Sequence, residues 1–325
     1  MALTDRVNFD DVYFSLPRFA KYVSSVDMMP EALVKRGVVK RDRSLQDYSL
    51  TTTDTKINYD ALPQPLNSGA VNYDATLTNT ETCVEQAMVV IGRKFSFSTN
   101  ALASALSNQP EKDVANFVID YFRRVRSRNL VKALTGCMAV SSMTNMIYNI
   151  STGSTIGDSN RLSKTNIASG LSSKFGDKHV EGKVMICHSV QLSNMLGLGS
   201  ATYEYDPLYG KIVPKVLGMD VIVDDICTTA ANSTYNSFIF GANALVCAEA
   251  KESTPFAIVN DGSVAGRQYL VVKQRYIAQP NGMTFSGTPS GTSPTEAELA
   301  TSGNWGLAFT SETYVPVIRM IANCA

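Results

Sequence analysis

Between residues 56 and 78 the chain alternates apolar and polar side chains on both sides of a breaker-rich tip. That pattern commits it to extended backbone with one apolar face. Ile57, Tyr59 and Ala61 interleave with Lys56, Asn58 and Asp60; after Pro63, Pro65, Asn67 and Gly69 the alternation resumes as Val71, Tyr73, Ala75 and Leu77 against Asn72, Asp74, Thr76 and Thr78. Because successive strand side chains point to opposite faces, this spacing predicts a β-hairpin. A hairpin of only two strands is marginally stable in water. A long one with an apolar face therefore needs a surface to lie on, its own chain's or a neighbour's.

The flanking segments differ in kind. Residues 1–50 are poorly periodic: apolar clusters at 12–16 and 19–23 give way to a charged stretch from Lys35-Arg36 through Lys40-Arg41-Asp42-Arg43, which reads as an arm lying on something else. Downstream, Asn108 and Glu111, with Pro110 between them, open a helix in capping-box fashion. Val114, Phe117, Val118, Tyr121, Phe122 and Val125 fall on one arc at 3.6 residues per turn. Past Leu130 the apolar positions Val131, Leu134 and Met138 rotate around the cylinder, so that half is expected to be buried from several sides. No proline interrupts 111–148, and Gly136 is its weak point. Continuous over that span, the helix would be about 55 Å long at about 1.5 Å per residue, a spine longer than the usual globular helix.

Residues 151–159 read as a flexible loop by composition. A short helix at 165–174, a strand at 183–187, a helix at 189–196 and strands near 212–216, 219–223, 237–240 and 244–247 then form a compact α+β block from about 160 to 265. A long strand at 268–276 returns from it. A Gly/Ser/Thr/Pro loop at 286–294, a short helix at 295–301 and a strand at 314–321 close the chain, which shows no internal repeat.

Charge narrows the function classes. Lys and Arg total 29 and Asp and Glu total 29, a balance that argues against a chain whose work is gripping phosphates. Hydrophobic residues make up 44%, enough for a real core and too many for a disordered chain. The N-terminus lacks a continuous apolar stretch, and the most apolar run, 238–250, is short for a bilayer and holds Asn243 and Glu249. Cys83, Cys137, Cys187, Cys227, Cys247 and Cys324 are scattered, which suggests reduced, buried thiols in a soluble intracellular product.

Few constellations suggest chemistry. The loop Gly153-Ser-Thr-Ile-Gly157 lacks the Gly-Lys-Ser/Thr ending of a phosphate cradle and reads as a solvent loop. Asp224 and Asp225 follow the apolar strand 221–223, where carboxylates can bind metals, but adjacent strand residues diverge, so a turn or cap is expected. His188-Ser189 resembles half of a nucleophilic pair; sequence neighbours rarely have the geometry, and Ser189 is expected to cap the following helix. His179 has no evident partner. Arg123, Arg124, Arg126 and Arg128 spread around the spine helix, favouring intersubunit and intrachain pairing with carboxylates over DNA contact. Trp305 reads as a packing anchor.

Several stretches together resemble a known group: Lys174-Phe-Gly-Asp-Lys178 leading to Val184-Met-Ile-Cys-His-Ser-Val190, Leu217-Gly-Met-Asp-Val-Ile-Val-Asp-Asp225, Tyr235-Asn-Ser-Phe-Ile-Phe-Gly-Ala242, and Ser293-Pro-Thr-Glu-Ala-Glu-Leu299 with Asn304-Trp305. In order and spacing they are similar to the major capsid proteins of tailed double-stranded-DNA bacteriophages, the Hong Kong 97-like fold. The resemblance covers the chain from about residue 110 onward. It implies an α+β fold with an N-terminal arm at 1–50, an extended loop at 51–98, a peripheral domain at 99–155 and 266–325, and an axial domain at 156–265. It implies a coat protein forming hexamers and pentamers of an icosahedral head around the genome, with no cofactor, metal or catalytic site and no membrane. Expected partners are further copies of itself, a separate scaffolding protein (the loop begins near residue 50, leaving no room for a fused one), a portal and a cement or decoration protein. The head is expected to be assembled in the bacterial cytoplasm. Ile57, Tyr59, Val71, Tyr73, Leu77, Arg123, Arg124 and Arg126 are the expected intersubunit contacts, and Lys56 would be the candidate for the loop crosslink of some relatives, although the rest of that motif is not matched. Three rivals stay open: an encapsulin-like compartment shell, a metal-dependent enzyme using Asp224 or Asp225, and a tail-tube or fibre protein, the last disfavoured by the spine helix.

Overall fold

A computed structural model of the chain describes residues 15–41, 56–61, 84–98, 110–151, 156–176, 182–229, 233–250, 252, 254–261 and 267–324. The N-terminal stretch is more structured than its weak periodicity suggests. Helix α1 (Leu16–Ser24) starts with a proline in its first turn, where the missing N–H is harmless, and buries Phe19 and Val23. Helix α2 (Glu31–Lys35) buries Leu33 and ends at Gly37, whose φ of +71° suits glycine. Strand β1 (Val39–Arg41) then runs parallel to a strand more than two hundred residues away. The described part of this stretch, 15–41, lies on its own chain.

The hairpin expectation is half right. Strand β2 (Lys56–Ala61) exists, but the partner described for it is β3 (Val84–Val89), not 71–77, which lies outside the described residues. Strand β4 (Ile91–Ser98) follows at once and was not legible in the sequence.

The spine helix is α3 (Pro110–Cys137), 28 residues long. It stops well short of 148 because 138–146 is rich in Ser, Thr and Asn, which compete for backbone hydrogen bonds. A 3₁₀ turn at Ser141–Met146 and strand β5 (Ile147–Asn149) take over, and the three-residue spacing of Met143 and Met146 puts both in the core. Gly136 marks a close approach of the spine to the chain's C-terminal part. A Cβ there would sit 2.2 Å from the Leu299 carbonyl oxygen and 2.7 Å from the Trp305 indole nitrogen. Trp305 is buried and donates to that same carbonyl at 2.8 Å, which makes it the expected packing anchor.

The remaining elements are α4 (Lys164–Phe175), β6 (Val184–Cys187), α5 (Ser189–Gly197), β7 (Thr202–Asp206), β8 (Lys211–Val216), β9 (Met219–Val223), β10 (Thr234–Phe240), β11 (Leu245–Ala250), β12 (Phe256–Asp261), β13 (Arg267–Pro280), β14 (Met283–Phe285), α6 (Glu296–Ala300), β15 (Trp305–Leu307) and β16 (Val317–Asn323). The last strand starts later than expected because Glu312–Tyr314 forms a 3₁₀ turn and Pro316 cannot donate to a ladder.

Two larger sheets organise the body. In one, the long β13 pairs with β11 and β12 along one edge and with β4 along the other, and β1 adds outside β11. The other runs β5-β16-β10-β6-β9-β8-β7. Sheet membership therefore crosses the block boundaries expected from sequence: β4, β11 and β12 join the sheet of β13, while the C-terminal β16 lies inside the seven-stranded one. The first half of α3 packs Val114, Val118 and Phe122 against Phe19, Phe97, Leu270 and Val272. Its second half enters the main core through Leu130, Val131, Leu134 and Cys137, as the rotating pattern implied.

Candidate assembly surfaces

Two thin ribbons leave this body. The first is β2–β3. In backbone register Ile57 stands opposite Met88, and Tyr59 opposite Gln86. Met88 is buried against Val246, Ala248 and Ile277 of the body's own sheet. On its other edge β3 is served by side chains. The Gln279 side-chain oxygen accepts from Val89 N–H at 2.9 Å, and its amide donates to the carbonyls of Ala87 and Met283 at 3.2 and 2.8 Å. Gln86 returns the favour, donating to Pro280 and Met283 carbonyls at 3.2 and 2.6 Å, while Ala87 N–H reaches the Thr284 hydroxyl at 3.0 Å. Both glutamines are fully buried and satisfied, so the ribbon's root is fixed in direction by neutral hydrogen bonds. Val71, Tyr73 and Leu77 lie outside the described residues, as do the side chains of Ile57 and Tyr59 and all of His179 and the 152–155 loop.

The second ribbon is β7–β8, at the end of the seven-stranded sheet. Its attachment is ionic. Arg36, at the end of α2, is bound to Asp206 and bridges to Asp220, with Nε 2.6 Å from Oδ2 and Nη2 2.8 Å from Oδ1. Lys215 lies 2.8 Å from Asp206, the Tyr209 hydroxyl donates to Asp220 at 2.6 Å, and Lys35 Nζ donates to the Leu208 carbonyl at 2.9 Å. Both carboxylates are buried. The hydrogen bond from Lys215, reinforced by the Leu208 N–H and Arg36, holds the Asp206 carboxyl below its usual range, and the bond to Asp220 raises the Arg36 guanidinium. Burial, then the neighbouring Asp220, pushes the Tyr209 phenol up.

The arginines of α3 divide by environment. Arg126 is 2% exposed; its guanidinium is bound by Glu249, donates to Gln274 at 2.9 Å and stacks 4.4 Å from the Tyr276 ring. That is intrachain pairing, and it removes Arg126 from the surface offered to a neighbour. Arg128 pairs with Glu296 at 2.7 Å, and exposed Arg123 lies 3.9 Å from Asp120 and donates to the Asp27 carbonyl at 3.4 Å. Arg124 is exposed.

The residues considered for chemistry take structural roles. Asp224 accepts from the Ser127 hydroxyl and from Ile226 N–H, closing a turn; Asp225 accepts from Ser189 N–H at 3.1 Å. The helix cap is His188 rather than Ser189. The imidazole Nδ1 accepts from Val190 N–H at 3.1 Å while His188 N–H donates to the Gln191 side chain at 3.3 Å, a capping box with histidine in the lead position. Among the described residues no three His, Cys, Asp or Glu side chains are grouped to hold a metal. Five of the cysteines are described, all free and buried, and burial pushes the Cys187 and Cys247 thiols up to about 12.

A spine helix thus lies over one sheet, and a second sheet carries the ionic clamp at its edge. The capsid of Ralstonia phage GP4 superposes over 100% of this chain and 93% of its own with a TM-score of 0.51 at 8% identity. The capsid of an empty GTA particle does so over 86% and 96% with a TM-score of 0.50 at 13% identity. The fold is Hong Kong 97-like. The chain belongs to the Gp13-like family, major capsid protein 13-like, whose family model matches residues 93–314. The major capsid protein of Bacillus phage SPP1 is 23% identical over 252 residues, 76% of this chain and 71% of that one. The protein is thus a structural coat protein of the phage head, belonging to a family of structural capsid proteins.

Proposed function

We propose that copies of this chain form hexameric and pentameric capsomers that close an icosahedral head around double-stranded DNA, with no catalytic step, cofactor or metal. The observation carrying this reading is the β2–β3 ribbon: among the described residues its two strands pair only with each other, yet its root is locked onto the body by buried glutamines. A locked root under a thin extension sets a direction, which is useful only if the extension meets something. Repeated over many copies, modest contacts of this kind sum to a durable closed shell. In this reading the sheet of β13 with α3 forms the peripheral domain, the seven-stranded sheet the axial domain, and the segment between β1 and β4 the extended loop.

Intersubunit contact then falls to Ile57, Tyr59, Val71, Tyr73 and Leu77 of the loop and to the exposed Arg123 and Arg124. The equal totals of 29 basic and 29 acidic residues suit a wall that encloses DNA without gripping its sequence. Assembly takes place in the bacterial cytoplasm; the subunit closes on its own kind when concentrated, a separate scaffolding protein guides that closure, and a portal and a decoration protein complete the head. Electron microscopy of the purified, concentrated chain tests the reading. Closed shells or ring-shaped capsomers are expected; a chain that stays a single subunit at every concentration contradicts it.

A further inference from the structure

The second ribbon turns an apolar face to water. Across it Tyr203 pairs with Pro214 and Tyr205 with Ile212, so strand alternation sets these four side chains on one side. Tyr203, Tyr205 and Ile212 are 60%, 65% and 66% exposed. Together they leave on the order of 350 Å² of surface in water, comparable with the largest patch on a typical monomer. Among the described residues β7 pairs with β8 alone, so its outer backbone edge is open as well. Soluble chains usually blunt such an edge with charge, proline or a covering helix.

The opposite side of the ribbon bears the Arg36 clamp. Burying two carboxylates there carries a desolvation cost that packed apolar residues would avoid. What the clamp provides is a fixed position: β8 meets β9 through only two register pairs, Lys215 with Asp220 and Val216 with Met219, yet the ribbon is tied to α2 as well. A ribbon held stiff with its apolar side outward is preorganised for contact.

We propose that the Tyr203, Tyr205 and Ile212 face of the β7–β8 ribbon is a contact surface for a second copy of this chain in the assembled coat. The proposal rests on the coat-forming reading above and names one of its interfaces. The face itself is uncharged: Glu204 and Lys211 alternate onto the clamp side of the ribbon. That suits a partner whose charges balance, as this chain's do at 29 against 29, and not a polyanion. The patch is smaller than the roughly 800 Å² per partner of a standard interface, so it forms part of a wider contact.

The test compares the wild-type chain with the double variant Tyr205→Lys, Ile212→Lys by sedimentation velocity and electron microscopy over a range of subunit concentrations. The variant is expected to need at least about tenfold more subunit for the same assembled fraction, with an unchanged far-ultraviolet circular dichroism spectrum. Equal assembly of the two chains overturns the proposal. A wild-type chain that never assembles overturns the reading beneath it and the proposal together. Independently of how the double variant folds, Tyr203→Cys in a Cys83→Ser chain reports on the face, since the other cysteines are buried. Maleimide labelling there is expected to be at least about tenfold slower in particles of this chain alone than in free subunits. Equal labelling rates overturn the proposal, and so does protection that appears only once another phage protein or DNA is added.

Discussion

The two ribbons share a local architecture and differ in what holds them. The β2–β3 root is fastened by the neutral side chains of Gln86, Gln279 and Thr284 and by Met88 buried in the body. The β7–β8 ribbon is fastened by Arg36, Lys215, Asp206 and Asp220, and its Tyr203, Tyr205 and Ile212 are turned to water. Neutral bonds in a dry site fix an extension whatever the solvent conditions. An ionic clamp fixes one conditionally, through groups that titrate. The difference teaches that a chain can build one projection as part of its own core and leave another to be completed elsewhere.

The comparison can be broken at either root. Gln279→Leu removes three hydrogen bonds and strands the Val89 N–H and the Ala87 carbonyl in a buried site, so a loss of about 4 kcal/mol is expected in urea unfolding. A loss below about 1 kcal/mol would mean that the root is held by Met88 packing instead. Arg36→Met leaves Asp206 and Asp220 with Lys215 and Tyr209 as remaining partners. About 2 to 3 kcal/mol is expected, concentrated in 202–216 when read by hydrogen exchange.

Acid separates the ribbons without mutation. The Asp206 carboxyl is held below its ordinary 3.8, so its contribution to stability is complete above that value and is lost as pH falls through the depressed one. Rate-corrected hydrogen exchange below pH 3.8 should therefore open 202–216 while 84–89, whose root bonds are amides, carbonyls and a hydroxyl, keeps its protection. Simultaneous loss in both would erase the distinction. The smallest effect sharpens it: Tyr205→Ser and Ile212→Ser should each change subunit stability by no more than about 0.5 kcal/mol in thermal unfolding, because both side chains are already in water.

How far each ribbon was legible in the sequence follows the same division. Lys56 to Ala61 alternates cleanly and is a strand. The partner described for it, Val84-Glu-Gln-Ala-Met-Val89, is hidden because a buried glutamine occupies an inward position and breaks the period, while 71–77, which alternates better, lies outside the described residues. Thr202-Tyr-Glu-Tyr-Asp206 also alternates, but the buried residue is the charged Asp206 and the tyrosines face water, the reverse of the usual rule. The spine's first half was readable because Val114, Val118 and Phe122 share one arc; its end was not, because Met138, Met143 and Met146 stay buried while the backbone changes from α to 3₁₀. The clamp was invisible because Arg36 meets Asp206 and Asp220 only through the tertiary fold, 170 and 184 residues away. Of the arginines singled out on α3, Arg126 shows the same limit: helical geometry gave its direction, and only Glu249 and Tyr276 decided that it would be buried.

Hydrogen exchange measured on free subunits and on assembled particles of the same chain tests the central claim most directly. The account predicts that amides of 202–206 become protected on assembly, while those of 84–89 are already protected in the subunit and change little. Protection of 84–89 gained only in the particle, with 202–206 exchanging equally fast in both states, would contradict it.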